Sequence, residues 1–344
     1  MQTLVQPLSN FPNLHVLTET DLNWLAETAQ LEACQPGKVL IQLGQSSDSI
    51  YFLLDGVLSV SISADSSPGD KQELKQLSAG EMMGEMSFLD NHPPAATIQT
   101  LEPSKVLSVS KHKLSVKLDQ DRDFAARFYQ ALALKLSNQL RELSDLLTQN
   151  QVTADLPLRK ALLAFAVFND SDIDWMIAHG IQEKVTPGTA LITEGKPVEG
   201  VYILIEGTLT ISITTQIEGK PVAREVGKSM KGEILGEMSF VETGLASATV
   251  RAAENALLLK LPRQKLASKL QADRRFATRF YRAIAVILAN RWRDRLAQRG
   301  FSTLNQDLTE MLSEDVISED ELDFDVLENT ALAGARFDWL IKSL

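Results

Sequence analysis

Gly84-Glu85-Met86-Ser87-Phe88 and Gly236-Glu237-Met238-Ser239-Phe240 are the same five residues written twice, 152 positions apart. Downstream of them, Ala96-Thr97 matches Ala248-Thr249, and Arg127-Phe128-Tyr129 matches Arg279-Phe280-Tyr281, at the same offset. Upstream, Gly80-Glu81 matches Gly232-Glu233. Beyond one inserted residue the offset becomes 151. It then pairs Gly56 with Gly207, Tyr51 with Tyr202, Gly44 with Gly195, Gly37 with Gly188, and Asp21-Leu22-Asn23-Trp24 with Asp172-Ile173-Asp174-Trp175. A correspondence this long with a single insertion is not chance, and its period far exceeds that of a solenoid unit. The chain is a duplicated domain.

Each copy reads alike. A short helix carries the tryptophan. Short β-type runs follow, such as Val39-Leu40-Ile41, Ile50-Tyr51-Phe52-Leu53-Leu54 and Val57-Leu58-Ser59-Val60-Ser61-Ile62, punctuated by glycines. Leu54-Asp55-Gly56-Val57 and Ile205-Glu206-Gly207-Thr208 read as hairpin turns in which glycine supplies a positive φ. The apolar period then becomes helical. Phe124, Phe128, Leu132, Leu136 and Leu140 fall every fourth residue, as do Phe276, Phe280, Ile284, Leu288, Trp292 and Leu296. The predicted class is mainly β with flanking α: two tandem antiparallel β-barrel, jelly-roll-like domains, each followed by a long C-terminal helix. The expected divisions are a first domain over 1–147, a polar linker over 148–158, a second domain over 159–300 and an acidic tail over 301–344.

Composition narrows the function classes. The 344 residues are 44% hydrophobic and 23% charged, enough for two ordinary globular domains. One cysteine, Cys34, excludes an intrachain disulfide and fits a reducing compartment. The four histidines are scattered without metal-ligand spacing. The N-terminus lacks a secretory pattern and no run of about 18 apolar residues occurs, so a cytoplasmic location without a membrane span is expected. A formal charge of −11 opposes nucleic-acid binding. The arginines of the second long helix, among them Arg274, Arg279, Arg291, Arg293 and Arg295, read as a solvated face. No Gly-x-Ser-x-Gly, Walker or His-Glu-x-x-His pattern is present, so no catalytic site is expected.

The ordered set Pro36-Gly37, Gly44, Tyr51, Asp55-Gly56, Gly80-Glu81, Gly84-Glu85 and Ala96-Thr97, seen twice, resembles the cyclic-nucleotide-binding domain family. That family includes catabolite-activator-like regulators, protein kinase A regulatory subunits and gated channels. The resemblance covers roughly residues 15 to 147 and 165 to 298. It implies a phosphate-binding cassette in each copy, over Gly84, Glu85, Met86 and Ser87 and over Gly236, Glu237, Met238 and Ser239. It also implies that the glutamate accepts from a ribose hydroxyl and that the short helix offers N–H groups to a cyclic phosphate.

The same resemblance implies an arginine before a small-small-Thr sequence, pairing with the phosphate. That place is held by Pro94 in Pro94-Ala95-Ala96-Thr97 and by Ala246 in Ala246-Ser247-Ala248-Thr249. A charged hydrogen bond contributes about 1.5–3 kcal/mol, and an unpaired buried ion costs about 2–5 kcal/mol. At about 1.4 kcal/mol per decade, both pockets are expected to bind cyclic monophosphates tens- to thousands-fold more weakly. Only His92 or Arg251, turned inward, could compensate. Both pockets are therefore read as degenerate, with no cofactor beyond a weakly held cyclic nucleotide.

Two matching helix stripes predict either a pseudo-dimer within the chain or a homodimer through the same faces. From Arg299 to Arg336 there is no intervening Lys or Arg, while acids crowd Ser313 to Glu328. After this spacer, Phe337, Trp339, Leu340 and Ile341 read either as a partner-docking peptide or as a segment folded back on its own barrel. The expected function is a non-catalytic regulatory or scaffold protein whose degenerate domains bind protein partners. The alternative is a cAMP or cGMP sensor signalling through movement of the long helices.

Overall fold

A computed structural model of the chain describes residues 4–63, 71–90, 92–146, 164–217, 220–297 and 324–344. The expected linker and residues 301–323 of the expected tail lie outside these residues. Among the described residues no helix is long and apolar enough to cross a membrane.

The first copy opens with α1 (Val5–Ser9) and α2 (Glu19–Thr28). Eight strands follow: β1 (Gln30–Cys34), β2 (Val39–Ile41), β3 (Ser49–Asp55), β4 (Leu58–Ser63), β5 (Lys71–Leu77), β6 (Met82–Met83), β7 (Thr97–Thr100) and β8 (Ser104–Ser110). The short α3 (Met86–Leu89) interrupts them, and α4 (Lys111–Gln120) and the 25-residue α5 (Arg122–Leu146) close the copy. The second copy repeats the plan. It has α6 (Asp170–His179), then β9 (Ile181–Val185), β10 (Ala190–Ile192), β11 (Gly200–Glu206), β12 (Leu209–Ile217), β13 (Lys220–Ser229) and β14 (Ile234–Leu235). After α7 (Glu237–Val241) come β15 (Thr249–Ala252), β16 (Ala256–Pro262), α8 (Arg263–Ala272) and α9 (Arg274–Ala297). A further helix, α10 (Phe324–Lys342), ends the chain.

Each copy forms two four-stranded antiparallel sheets, in the orders β1-β8-β3-β6 and β2-β7-β4-β5, and equivalently β9-β16-β11-β14 and β10-β15-β12-β13. This is the eight-stranded double-sheet arrangement of a jelly roll. Its core lies between the sheets. Leu53 and Val106 from one sheet meet Leu40, Leu58, Val60 and Ile98 from the other. Leu204 and Leu258 meet Leu209 and Val250 in the second copy.

The hairpin reading at Gly56 and Gly207 is corrected. Both glycines have the expected positive φ, +98° and +90°. The flanking strands, however, do not pair with each other: β3 bonds to β6 and β8, and β4 bonds to β5 and β7. The turn is a corner at which the chain leaves one sheet for the other. A Cβ on Gly56 would run into Ser104, and one on Gly207 would lie 2.6 Å from the Asn255 carbonyl oxygen. The glycine is thus required twice, by φ and by the crowding of the corner.

The tryptophan helices start in capping boxes. Asp21 N–H donates to Thr18 Oγ1 while Thr18 N–H donates to Asp21 Oδ2, and Asn169 and Asp172 exchange the same bonds. The long helices begin at Asp121 and Asp273, whose carboxylates accept from the N–H groups of Phe124 and Phe276. Trp24 packs edge-on to Phe124, and Trp175 lies tilted against Phe276, both at 5.2 Å.

The compact units do not follow the repeats. One comprises Met1–Leu132 with Arg291–Ile317, the other Ala133–Asn290 with Ser318–Leu344. Each long helix therefore begins in one unit and ends in the other.

Candidate functional site

Each cassette starts where a two-residue strand, β6 or β14, ends in a glycine. Gly84 has φ +85° and Gly236 has φ +79°. A Cβ on Gly84 would sit 2.9 Å from the Ser49 carbonyl oxygen, and one on Gly236 would sit 2.7 Å from that of Gly200. The tight left-handed turn delivers Glu85 and Glu237 into the fold, at 3% and 2% exposure. The short helices α3 and α7 follow, with Met86 and Ser87, or Met238 and Ser239, in their first turns.

The serines are structural anchors. Ser87 Oγ donates to the Gly84 carbonyl at 3.2 Å and accepts from Lys111 Nζ at 2.8 Å. Ser239 Oγ donates to the Leu245 carbonyl at 3.3 Å, and its own carbonyl accepts from Arg263 at 3.3 Å. The Arg263 guanidinium also lies over the Phe240 ring. A cation thus reaches each cassette helix from the first residue of α4 or α8. Burial pulls the Lys111 ammonium below the usual lysine range, against the opposing fields of Asp48, Asp90 and Glu85.

At the place where the resemblance implies arginine, Pro94 is buried and its carbonyl accepts from Gly44 N–H at 3.0 Å. Ala246, at 5% exposure, occupies the equivalent position. Its carbonyl accepts from Gly195 N–H at 2.9 Å. Its methyl belongs to an apolar cluster with Ile192, Val198, Tyr202 and Leu235. Ala95, Ala96, Ser247 and Ala248 are half-buried, and Ala96 packs on the apolar core of the first copy. Thr97 Oγ1 accepts from Leu43 N–H, and Thr249 Oγ1 from Glu194 N–H, both at 3.1 Å, tying this strand to the turn after β2 or β10.

The two cations that the sequence offered as substitutes, His92 and Arg251, have local partners of their own. His92 folds back on Asp90, its Nδ1 2.9 Å from the Asp90 carbonyl oxygen. Arg251 is exposed and donates to the Gly188 carbonyl at 3.2 Å.

The cassette helices end on acids that the sequence reading did not single out. Asp90 is gripped at two points by Arg293, at 2.7 and 3.2 Å. Glu242 accepts from Arg141 Nε at 2.6 Å and from Ser137 Oγ, while Arg141 also donates to the Leu245 carbonyl at 3.1 Å. The usable signal was the repeat itself. Asp90 and Glu242, Arg141 and Arg293, and Lys111 and Arg263 each keep their charge across the same offset of 152. Arg279 and Arg293, read from sequence as part of a solvated face, are engaged in internal ion pairs.

The terminal segment is seated on the second unit. Phe337 and Leu340 are buried, and Phe337 lies 5.0 Å from the Phe165 ring. Arg336 bonds Asp170 and the carbonyls of Phe165 and Ala166. Ile341 is half-buried, and Trp339 keeps 37% of its surface exposed. In this conformation Phe337 and Leu340 face their own domain, which is the folded-back arrangement.

The family profile described as the cyclic nucleotide-binding domain matches residues 31–121 and 182–273. A cGMP-dependent protein kinase of Eimeria tenella is 29% identical over 109 residues, 32% of this chain and 10% of the kinase. The lysophospholipase NTE1 of Pyricularia oryzae is 23% identical over 274 residues, 72% of this chain and 17% of that protein. The chain thus spans under a fifth of the length of these two relatives. Among solved structures, the regulatory domain of Toxoplasma gondii PKA crystallised with cAMP gives a TM-score of 0.32 at 18% identity. The match covers 79% of this chain and 92% of that one.

Proposed function

Given that this chain belongs to the cyclic nucleotide-binding domain family, twice over, we propose that it is a non-catalytic regulatory protein whose two pockets are degenerate and whose ligands are protein partners. The observation that carries this reading is the burial of Ala246 among Ile192, Val198, Tyr202 and Leu235, where a phosphate would need a cation. An anion brought against that apolar wall loses its hydration without gaining a counter-charge. Pro94 adds a second deficit, since it offers no N–H. The cations that do approach the cassettes, Lys111 and Arg263, already serve Ser87 and Ser239.

The reading extends to assembly. Ala131, Leu132, Ala133 and Leu134 of α5, and Ala283, Ile284, Ala285 and Val286 of α9, are buried within one chain. Four successive buried residues leave a helix no free face at that point. At these positions neither helix offers a surface to a second copy of the chain. Nucleic acid is not among its ligands on this reading, because the net charge is −11.

Calorimetric titration of the full chain with cAMP and with cGMP is the test. Absence of heat, together with an unshifted melting temperature at millimolar nucleotide, is the expected result. Saturable micromolar binding would replace this reading with that of a nucleotide sensor.

A further inference from the structure

The ion pairs at the ends of the cassette helices differ from every other repeated contact described above. Asp21 with Arg127, and Asp172 with Arg279, join residues of one repeat. Asp90 with Arg293, and Glu242 with Arg141, join the cassette of one repeat to the long helix of the other, once in each direction.

These contacts are built, not incidental. Arg293 and Asp90 have side chains only 9% and 6% exposed and meet through two hydrogen bonds. The Glu242 carboxylate is held through both oxygens, by Arg141 Nε and Ser137 Oγ. In each cassette the gripped acid directly follows the short helix, and its N–H closes that helix on the Met86 or Met238 carbonyl. Moving the helix end therefore moves the carboxylate. The two-point Asp90–Arg293 pair tolerates little displacement before both bonds are lost, and Glu242 is held to the other helix by one bond from Arg141 and one from Ser137. The arginines sit near the ends of α5 and α9, the portions that fall in the opposite unit from their own helix starts. A strain at either cassette is delivered to a helix that is continuous with the other repeat.

We propose that Asp90–Arg293 and Glu242–Arg141 form a reciprocal coupling device, through which displacement of one repeat's cassette loosens the end of the other repeat's long helix. The device operates whichever class of ligand reaches the cassettes, so it stands apart from the reading of the pockets as degenerate.

Hydrogen exchange on the full-length chain tests it through two neutral replacements. Asp90→Asn is expected to accelerate exchange about tenfold or more in two separated stretches, the first cassette and residues 288–297. Glu242→Gln is expected to do so in the second cassette and residues 136–146. Acceleration confined to the substituted cassette would overturn the proposal. The charge-swapped chain carrying Asp90→Arg with Arg293→Asp separates coupling from general loss of stability. Recovery of protection in both stretches supports the device, and acceleration persisting across the whole chain overturns it.

Discussion

Asp21 and Arg127, 106 residues apart, meet through two hydrogen bonds, Nε to Oδ2 at 2.6 Å and Nη2 to Oδ1 at 3.0 Å. Asp172 and Arg279 repeat the pair at 2.5 and 2.8 Å. The acid also caps its own helix, so one carboxylate ties the helix that enters each jelly roll to the helix that leaves it. The sequence shows these residues as two separate matching motifs, at opposite ends of each copy. In the fold they are the two halves of one clasp.

Asp21→Asn is expected to destabilise the first unit by about 3 kcal/mol, because it leaves a largely buried guanidinium without its charge partner. Urea unfolding followed by tryptophan fluorescence would register the loss. A change below about 0.5 kcal/mol would mean that the clasp contributes only shape.

The clasp also sets an acid dependence. Burial pushes the Asp21 carboxyl up, but its bonds to Arg127 and to Thr18 outweigh this and hold it below the ordinary carboxylate value. Its contribution is therefore full above the unfolded carboxylate pKa, about 4, and is lost as pH falls through the lower folded value. The stability gap between the wild-type chain and Asp21→Asn should be constant from pH 7 to about 5 and close in stronger acid. A gap that does not narrow at low pH would contradict this assignment.

Returning the missing cation is informative in the second copy. Ala246→Arg places a guanidinium against Ile192, Val198 and Leu235, and should cost at least about 3 kcal/mol in the absence of ligand. If this is the vacated phosphate position, millimolar cAMP should raise the melting temperature of the variant and leave the wild-type chain unchanged. A variant as stable as wild type, with no response to nucleotide, would show that the side chain escapes to solvent.

The end of the chain offers a contrast within one helix. Phe337→Ala should lower the stability of the second unit by about 3–5 kcal/mol, since it empties a filled aromatic site beside Phe165. Trp339→Ala, at a side chain that keeps 37% of its surface exposed, should cost less, about 1–2 kcal/mol. Equal effects in thermal melts would mean that the helix is not seated as described.

The two cassettes could be located in the chain before the fold was known, because the repeat marks them twice. The cassettes at Gly84-Glu85-Met86-Ser87 and Gly236-Glu237-Met238-Ser239 were located through the repeat and the family resemblance, whereas the positive φ of Gly84 and Gly236 and the burial of Glu85 and Glu237 emerged only in the fold. That Pro94 and Ala246 stand where the family resemblance implies an arginine was visible in one dimension, because residue identity needs no fold. The hairpin at Gly56 was misread for a related reason. A turn glycine reports the bend of the backbone, and does not say whether the next strand lies beside the last one or in the facing sheet.

What the amino-acid order alone determined is the duplication, the alternation of strands and helices and the positions of the turn glycines. The first follows from a self-match running through most of the chain, the others from backbone preference and side-chain period within a few residues. The tertiary structure decided which surfaces meet: that Arg141 and Arg293 reach the cassette of the opposite repeat, and that Phe337 settles beside Phe165. Such choices depend on packing and charge pairing between segments 100 to 200 residues apart. Local propensity carries no record of them, because either partner would adopt the same helix whichever surface it met.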